Sequence, residues 1–260
     1  MTKKLIVANW KCNPTTQDEA EELSRAIQQG AHGLKNFEVV LCPPFPYLAV
    51  ANLQVSIVKL GAQDCYFEQS GAYTGAVSPA MLKDMGCGYV IIGHSERKKY
   101  FGETDETINK KVRAALKARL NVILCVGEDS RDSFDVKGRW TRELDPKVKE
   151  QLVKALYDVK KTQIKNVVIA YEPVWAIGTG NPATFDDVLS AQIFVKKIIS
   201  ELYDRKTADS VLVLYGGSTN LKNAASFIKE GGCDGLLVGG ASLKAEEFIA
   251  MIASIKEVAL

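Results

Sequence analysis

The feature that most constrains this fold is a series of eight apolar, β-type segments that recur along the chain at fairly even intervals. Most of them are continuous rather than alternating in polarity, which is typical of parallel strands with both faces buried. We predict strands over residues 5–9, 37–42, 57–63, 88–93, 120–126, 166–171, 210–215 and 233–238.

Helical patterns separate these segments. Thr16 is placed to cap the first helix and Gly30 to end it. Thr104, Pro146 and Thr184 begin later helices, residues 220–229 and 245–256 form two more, and residues 45–51 and 79–85 give weaker patterns.

Eight strands, each followed by a helix, within 260 residues predict an α/β fold of the (β/α)8 barrel type. A hydrophobic content of 47% supplies a core for one domain of this size, so we expect residues 1–260 to form a single barrel domain. The alternative is a doubly wound open sheet, but the usual G-x-G-x-x-G of its first turn is absent.

Composition narrows the classes of partner. The net charge is only +2 and no basic stripe alternates with aromatic residues, so nucleic acid is not expected as a partner, and no apolar run reaches membrane-spanning length. With two histidines and no ligand-spaced cluster, no metal is expected. Scattered cysteines without a C-x-x-C pair predict reduced thiols and a cytoplasmic protein; they are Cys12, Cys42, Cys65, Cys87, Cys125 and Cys233.

In such a barrel the chemistry lies where the strands end at the C-terminal face. The sixth strand ends in Glu172, which Pro173 separates from a segment with one large apolar side chain and terminal glycines. This composition suits a lid, and a carboxylate that loses water when a lid closes becomes a more effective base. The alternative is an ordinary loop with a solvated glutamate. The lid residues are Pro173, Val174, Trp175, Ala176, Ile177, Gly178, Thr179 and Gly180.

The first and fourth strands supply further polar side chains. Lys11, just beyond the first strand, suits a fixed cation beside an anionic ligand, whereas Asn9 could bind substrate or only hold the loop. His94 precedes Ser95 and Glu96, which resemble a helix opening. The positive end of the helix dipole would keep its imidazole neutral and able to donate to a developing oxyanion; a histidine satisfied by local backbone is the alternative.

Two glycine pairs follow the seventh and eighth strands. Gly216-Gly217-Ser218 and Gly239-Gly240 each precede a helix, and bare backbone N–H groups there suit a phosphate. Cys125 lies inside an apolar strand end without a basic neighbour, so a packing role is favoured over a nucleophilic one. Together the residues predict proton transfer next to a carbonyl in a small phosphorylated substrate, without a cofactor.

Five motifs in this chain resemble the triosephosphate isomerase family over essentially its whole length. They are Asn9-Trp10-Lys11, residues 92–97 (I-G-H-S-E-R), residues 171–180 (Y-E-P-V-W-A-I-G-T-G), residues 215–218 (Y-G-G-S) and residues 237–243 (L-V-G-G-A-S-L). The resemblance implies interconversion of dihydroxyacetone phosphate and D-glyceraldehyde 3-phosphate through an enediolate, in glycolysis and gluconeogenesis.

The resemblance also implies the roles of the residues. Glu172 becomes the base, His94 the electrophile, and Asn9 and Lys11 the substrate-binding pair, supported by Ser95 and Glu96 in an outer layer. Gly178, Ser218, Gly239 and Gly240 become the phosphate contacts. The family implies a homodimer in which Thr74 approaches the neighbouring site, and Cys12 is expected at that contact.

The chain departs from the family at two positions. Ala76 stands where the family usually has glutamate, and Asn181-Pro182-Ala183 replaces a lysine followed by two small residues. Two rivals stay open at this point: a Schiff-base aldolase, which would need a lysine where Glu172 stands, and a non-catalytic binder on the same scaffold.

Overall fold

Eight parallel strands close into a barrel in a computed structural model that describes residues 3–34, 36–51, 58–130, 133–134, 140–141, 146–177 and 182–258. The strands are β1 (Lys4–Asn9), β2 (Phe37–Cys42), β3 (Val58–Ala62), β4 (Tyr89–Ile92), β5 (Asn121–Val126), β6 (Val167–Tyr171), β7 (Val213–Tyr215) and β8 (Gly235–Val238). The predicted (β/α)8 architecture is therefore confirmed.

The barrel closes because β1 pairs in parallel with both β2 and β8. Leu5 lies opposite Gly235 on one side, and Asn9 lies opposite Cys42 on the other. All eight predicted strands are present, although the seventh is shorter than predicted. Ser210 ends a short helix, and the strand begins only at Val213.

The barrel is surrounded by helices whose caps follow the sequence. Thr16, Thr104 and Thr184 each accept a hydrogen bond from the backbone three residues on, as predicted. The helices are α1 (Gln17–Gly30), α2 (Leu48–Ala51), α3 (Pro79–Asp84), α4 (Ser95–Phe101), α5 (Asp105–Lys117), α6 (Pro146–Ala155), α7 (Phe185–Leu202), α8 (Arg205–Ser210), α9 (Ala224–Lys229) and α10 (Ala245–Val258). Among the described helices, none has the length and apolarity needed to span a bilayer.

Gly30 lies at the end of α1 because the packing there requires a glycine, and not because the helix ends in a left-handed residue. A Cβ at this position would lie 2.6 Å from Cγ1 of Ile249, so the glycine lets α1 and α10 approach closely. The chain beyond it turns through Ala31, which keeps right-handed geometry. The sequence signal located the helix end correctly, but the physical cause is helix contact.

Two layers of apolar packing hold the barrel together. One cluster contains only strand residues, among them Leu5, Val7, Ile123 and Leu214, and fills the barrel interior. The alternate residues of the same strands, such as Ile6 and Ala8, pack outward against the helices. Because side chains alternate between the two faces and both faces are packed, most strand positions are apolar, which explains the nearly continuous sequence pattern.

Candidate active site

Lys11 leaves the end of β1 in a left-handed backbone conformation, with φ of 55°. Two side chains hold this unusual turn. Asn9 Oδ1 accepts from the Lys11 N–H at 3.0 Å, and Gln63 Nε2 donates to the Lys11 carbonyl at 2.8 Å. A second bond from Gln63 to the Cys42 carbonyl, also 2.8 Å, anchors the amide to β2. Hydrogen bonds involving residues at the ends of β1, β2 and β3 thus stabilise the unfavourable left-handed backbone conformation of Lys11.

The Lys11 ammonium lies over the rim between α4 and β8. Its Nζ donates to Glu96 Oε1 at 2.5 Å, and both side chains are about one-third exposed. A Cβ on Gly239 would lie 3.1 Å from Lys11 Cε, so the cation lies against the loop that follows β8. The lysine is positioned to meet a ligand from the open side of the barrel.

His94 caps the N-terminus of α4 with its own ring. Nδ1 accepts from the Glu96 backbone N–H at 3.2 Å, which assigns the ring proton to Nε2 and describes a neutral imidazole. Nε2 lies 3.2 Å from Glu172 Oε1. Both side chains are buried, so this close approach is shielded from solvent.

Glu172 follows the last residue of β6 and is only 2% exposed. Its backbone N–H donates to the Val126 carbonyl at 2.8 Å, and Oε2 accepts from the Ser95 backbone N–H at 3.0 Å. Among the residues that the structure describes, Oε1 receives no hydrogen bond of good geometry. A buried carboxylate oxygen without such a bond is unusual and is typical of a reactive group.

Gly216 leaves room for this carboxylate. A Cβ at Gly216 would lie 2.8 Å from Glu172 Cγ and 3.3 Å from the Tyr171 carbonyl oxygen. The first glycine after β7 therefore serves the base, whereas Gly240 faces open space with nothing within 4 Å of an added Cβ. The two glycine pairs thus have different physical roles.

The described part of the lid is fastened to the strand ends. Trp175 Nε1 donates to Glu128 Oε1 at 2.8 Å, and the Tyr171 hydroxyl donates to the same oxygen at 2.6 Å. Burial raises the pKa of the Tyr171 phenol, which keeps it a donor. On the other side, Ser218 Oγ donates to the Ala176 carbonyl at 2.8 Å.

Two buried groups complete the surroundings of Glu172. Burial, followed by the neighbouring Glu172 charge, raises the pKa of the Cys125 thiol well above its usual range, so this cysteine is a neutral packing group. On α4, burial lowers the pKa of the Lys98 ammonium.

Most of the predicted site residues meet at one rim. Asn9, Lys11, Gly239, His94, Ser95, Glu96, Glu172 and Ser218 are linked by the contacts above. Thr74 and Cys12 are exposed at the surface. Gly178, Thr179 and Gly180 lie outside the described residues, so their predicted contacts stay predictions.

Two positioning residues escaped the sequence analysis. Gln63 and Glu128 received no role, although Gln63 directly follows β3 and Glu128 lies two residues beyond the end of β5. The rule that located Glu172 could have found both. Their residue types did not indicate a role, because a lone glutamine or glutamate after a strand is common.

No group of three or more His, Cys, Asp or Glu side chains that could hold a metal occurs in the described part of the chain. The barrel and the polar side chains gathered at this rim are typical of a (β/α)8-barrel enzyme. The triosephosphate isomerase family model matches residues 4–255. The chain therefore belongs to the triosephosphate isomerase family.

Individual relatives agree with this assignment. The chain is 45% identical to the triosephosphate isomerase of Dictyoglomus turgidum, covering 95% of this chain and 98% of the relative. It is 45% identical to that of Carboxydothermus hydrogenoformans and 43% identical to that of Endomicrobium trichonymphae, in each case over 97% of this chain and 98% of the relative.

Proposed function

We propose that this chain interconverts dihydroxyacetone phosphate and D-glyceraldehyde 3-phosphate, with Glu172 as the proton carrier. As a member of the triosephosphate isomerase family it is an intramolecular aldose–ketose isomerase. The observation that carries the assignment of roles is the 3.2 Å approach of His94 Nε2 to Glu172 Oε1, a base and a neutral donor on one rim.

Glu172 removes a proton from the carbon next to the substrate carbonyl. The C–H electron pair forms the C=C bond of an enediolate, and the carbonyl oxygen takes the negative charge. The Nε2–H of His94 donates to that oxygen, and Lys11 stabilises it as a fixed cation. The hydroxyl proton on the deprotonated carbon passes to that oxygen. Glu172 returns its proton to the former carbonyl carbon; the C=C electron pair forms the new C–H bond, and the former hydroxyl oxygen becomes the carbonyl oxygen. A positioned base contributes ~10²–10⁴ in rate, and each oxyanion donor about 2.7–4 kcal/mol.

The phosphate group is proposed to bind at the loops after β7 and β8, with Gly178 of the lid closing over it. Ser218 already contacts the lid at Ala176, and Gly240 leaves an open approach to the backbone. A closed lid would exclude water and prevent the enediolate from losing its phosphate.

An assay with glyceraldehyde 3-phosphate, followed in D2O by NMR, tests this function. We expect turnover in both directions, with deuterium entering the carbon that is reprotonated. Glu172→Gln should abolish turnover and exchange, whereas Glu201→Gln, which removes an exposed carboxylate, should retain both. Turnover by Glu172→Gln at the wild-type rate would reject the role of the base. A covalent adduct after borohydride treatment with substrate would favour the aldolase alternative.

We further propose a cytoplasmic homodimer of single-domain chains that works in glycolysis and gluconeogenesis. Thr74, in an exposed loop with the 43% exposed Tyr73, would approach the partner's site, and Cys12 would lie at the same contact. Sedimentation velocity at micromolar concentration should give the mass of two chains. A single 28.4 kDa species would contradict the dimer.

A further inference from the structure

Lys98 is a lysine on α4 that the isomerase mechanism does not use. Its side chain turns inward, and Nζ donates to the Cys125 carbonyl at 3.3 Å and to Gln151 Oε1 at 3.2 Å. Both partners are neutral oxygens. In the parts of the chain that the structure describes, no carboxylate forms an ion pair with this ammonium.

Gln151, from α6, fixes the ammonium. It is 4% exposed and makes two hydrogen bonds to the backbone of Gly127. Its Oε1 accepts from the Gly127 N–H and its Nε2 donates to the Gly127 carbonyl, each at 3.0 Å. Gly127 in turn touches the backbone of Glu172, because an added Cβ there would lie 1.8 Å from the Glu172 carbonyl oxygen. Lys98, through Gln151, and Glu172 are thus both connected to the turn at Gly127.

Lys98 and Glu172 share a cavity of about 450 Å³ with Ser95, Gln151 and the lid residues Val174 and Ile177. The other charged groups at this cavity and around Glu172 are compensated or exposed. Lys11 pairs with Glu96, Lys147 pairs with Asp129, and Lys99 is exposed over the Tyr100 ring.

The remaining neighbours of Glu172 are neutral. His94 accepts a backbone N–H at Nδ1, and the Cys125 thiol is kept protonated by burial. Of the cations described around this buried carboxylate, Lys98 is therefore the one that is both partly buried and without an ion-pair partner among the described residues. Burial lowers the pKa of Lys98, and the charge of Glu172 is the largest opposing influence, ahead of Cys125 and Asp105.

We propose that Lys98, held by Gln151, is a positioning residue that acts through Glu172: its partly buried ammonium is the counter-charge that keeps the buried catalytic carboxylate ionised. A buried carboxylate otherwise takes up a proton, and a protonated base cannot accept the substrate proton. The expected effect on catalysis rests on the proposed function. The effect of the Lys98 charge on the ionisation of Glu172 does not, because it can be measured in the protein without substrate.

The test follows the titration of Glu172 directly. Protein labelled with ¹³C at the glutamate carboxyl carbon is titrated by NMR without substrate, and Glu172→Gln identifies the resonance. Lys98→Met should move the titration midpoint to higher pH by ~0.5–1 unit, because an opposite charge favours the ionised form. Lys98→Arg should restore the wild-type midpoint. In parallel, the acidic limb of kcat/KM against pH should move upward in Lys98→Met by the same amount.

Lys99→Met is the matched control, since it removes the same charge one residue away from an exposed side chain. Its midpoint should match the wild type. Lys98→Gln, which keeps a donor toward the Cys125 carbonyl, gives the same test if Lys98→Met fails to fold. An unmoved midpoint in a folded Lys98 variant, or an equal shift in Lys99→Met, would overturn the inference. An inactive wild type with a shifted Lys98→Met titration would reject the proposed function alone.

Discussion

Trp175 donates its indole N–H to Glu128 Oε1 across 2.8 Å, which joins the lid to the exit of the fifth barrel strand. The same oxygen accepts the Tyr171 hydroxyl from the strand that carries Glu172, and the Glu128 carbonyl accepts from the Val174 N–H at 3.0 Å. The buried Glu128 therefore contacts both the described part of the lid and Tyr171 at the end of β6. Hydrogen bonds from Trp175 and Val174 to Glu128 therefore hold the described part of the lid in its position.

Trp175→Phe should weaken this lid position. The change removes one hydrogen bond, worth about 0.5–1.5 kcal/mol, and leaves the apolar ring in place. The equilibrium then shifts from this lid position toward a lid closed over ligand. A phosphorylated carboxylate that mimics the enediolate should therefore bind ~2–10-fold more tightly, as measured by its inhibition constant. Glu128→Gln keeps an acceptor oxygen and should give a smaller gain. Weaker binding by Trp175→Phe would contradict the role of the bond.

Gly216→Ala should damage catalysis more than substrate binding. The new methyl would lie 2.8 Å from Glu172 Cγ and must displace the carboxylate from its position. A displaced catalytic group costs up to ~10² in rate, so we expect kcat to fall ~10–100-fold with little change in KM. Gly88→Ala is the control, since the nearest atom to its Cβ lies 3.9 Å away. Full activity of Gly216→Ala would show that the carboxylate tolerates the contact.

Gln63→Met should raise KM. The change removes both donor bonds from Gln63, to the Lys11 and Cys42 carbonyls, and so loosens the left-handed turn that directs the Lys11 cation. We expect KM for glyceraldehyde 3-phosphate to rise ~10-fold, corresponding to the net worth of about one or two hydrogen bonds. Gln29→Met, at an exposed position on α1, should have the wild-type KM. Identical KM values for the two variants would exclude this supporting role.

The strands and the main site residues followed from local rules. Continuous apolar runs located all eight strands, and the strand-end rule found Asn9, Lys11, His94 and Glu172. It succeeded because a parallel barrel brings the carboxyl ends of its strands to one rim, whatever the loops do. The beginning of β7 was misplaced by three residues, because Asp204 caps Thr207 and draws Ser210 into a helix that the apolar pattern does not reveal.

The supporting contacts could not be predicted in the same way. The Lys98–Gln151–Gly127 arrangement joins residues up to 53 positions apart, and each is unremarkable in its own segment. Likewise, Lys111 and Asp64 form a buried ion pair at 2.8 Å that Arg97 and Glu103 extend. Such networks depend on which side chains meet between elements, which neither periodicity nor spacing specifies.

Cys12 should be the first thiol to react in the native protein. Burial raises the pKa of Cys87 and of Cys233 to about 12, and those of the other three buried cysteines also lie above their usual range, which leaves Cys12 as the exposed thiol. One equivalent of a thiol reagent should label Cys12, and labelling should separate the proposed dimer and inactivate it. Cys12→Ser should resist both effects. Labelled protein that still sediments as a dimer would place Cys12 away from the contact.

The charge of Asp204, rather than its N-capping hydrogen bond to Thr207, should make the stability of the fold sensitive to acid. The Lys161 ammonium, then the Thr207 backbone N–H, lower the pKa of Asp204 to about 2 from its ordinary 3.8. A carboxyl group whose pKa is lower in the folded state stabilises the fold above its unfolded pKa and loses that contribution as the pH falls toward the folded value. The midpoint of thermal unfolding should therefore fall less steeply between pH 4 and pH 2 in Asp204→Asn, which keeps the acceptor for Thr207. Asp204→Ser, an uncharged cap of different shape, should give the same flatter curve because the charge is what titrates. Parallel curves for the wild type and both variants would mean that Asp204 and Lys161 do not interact in solution.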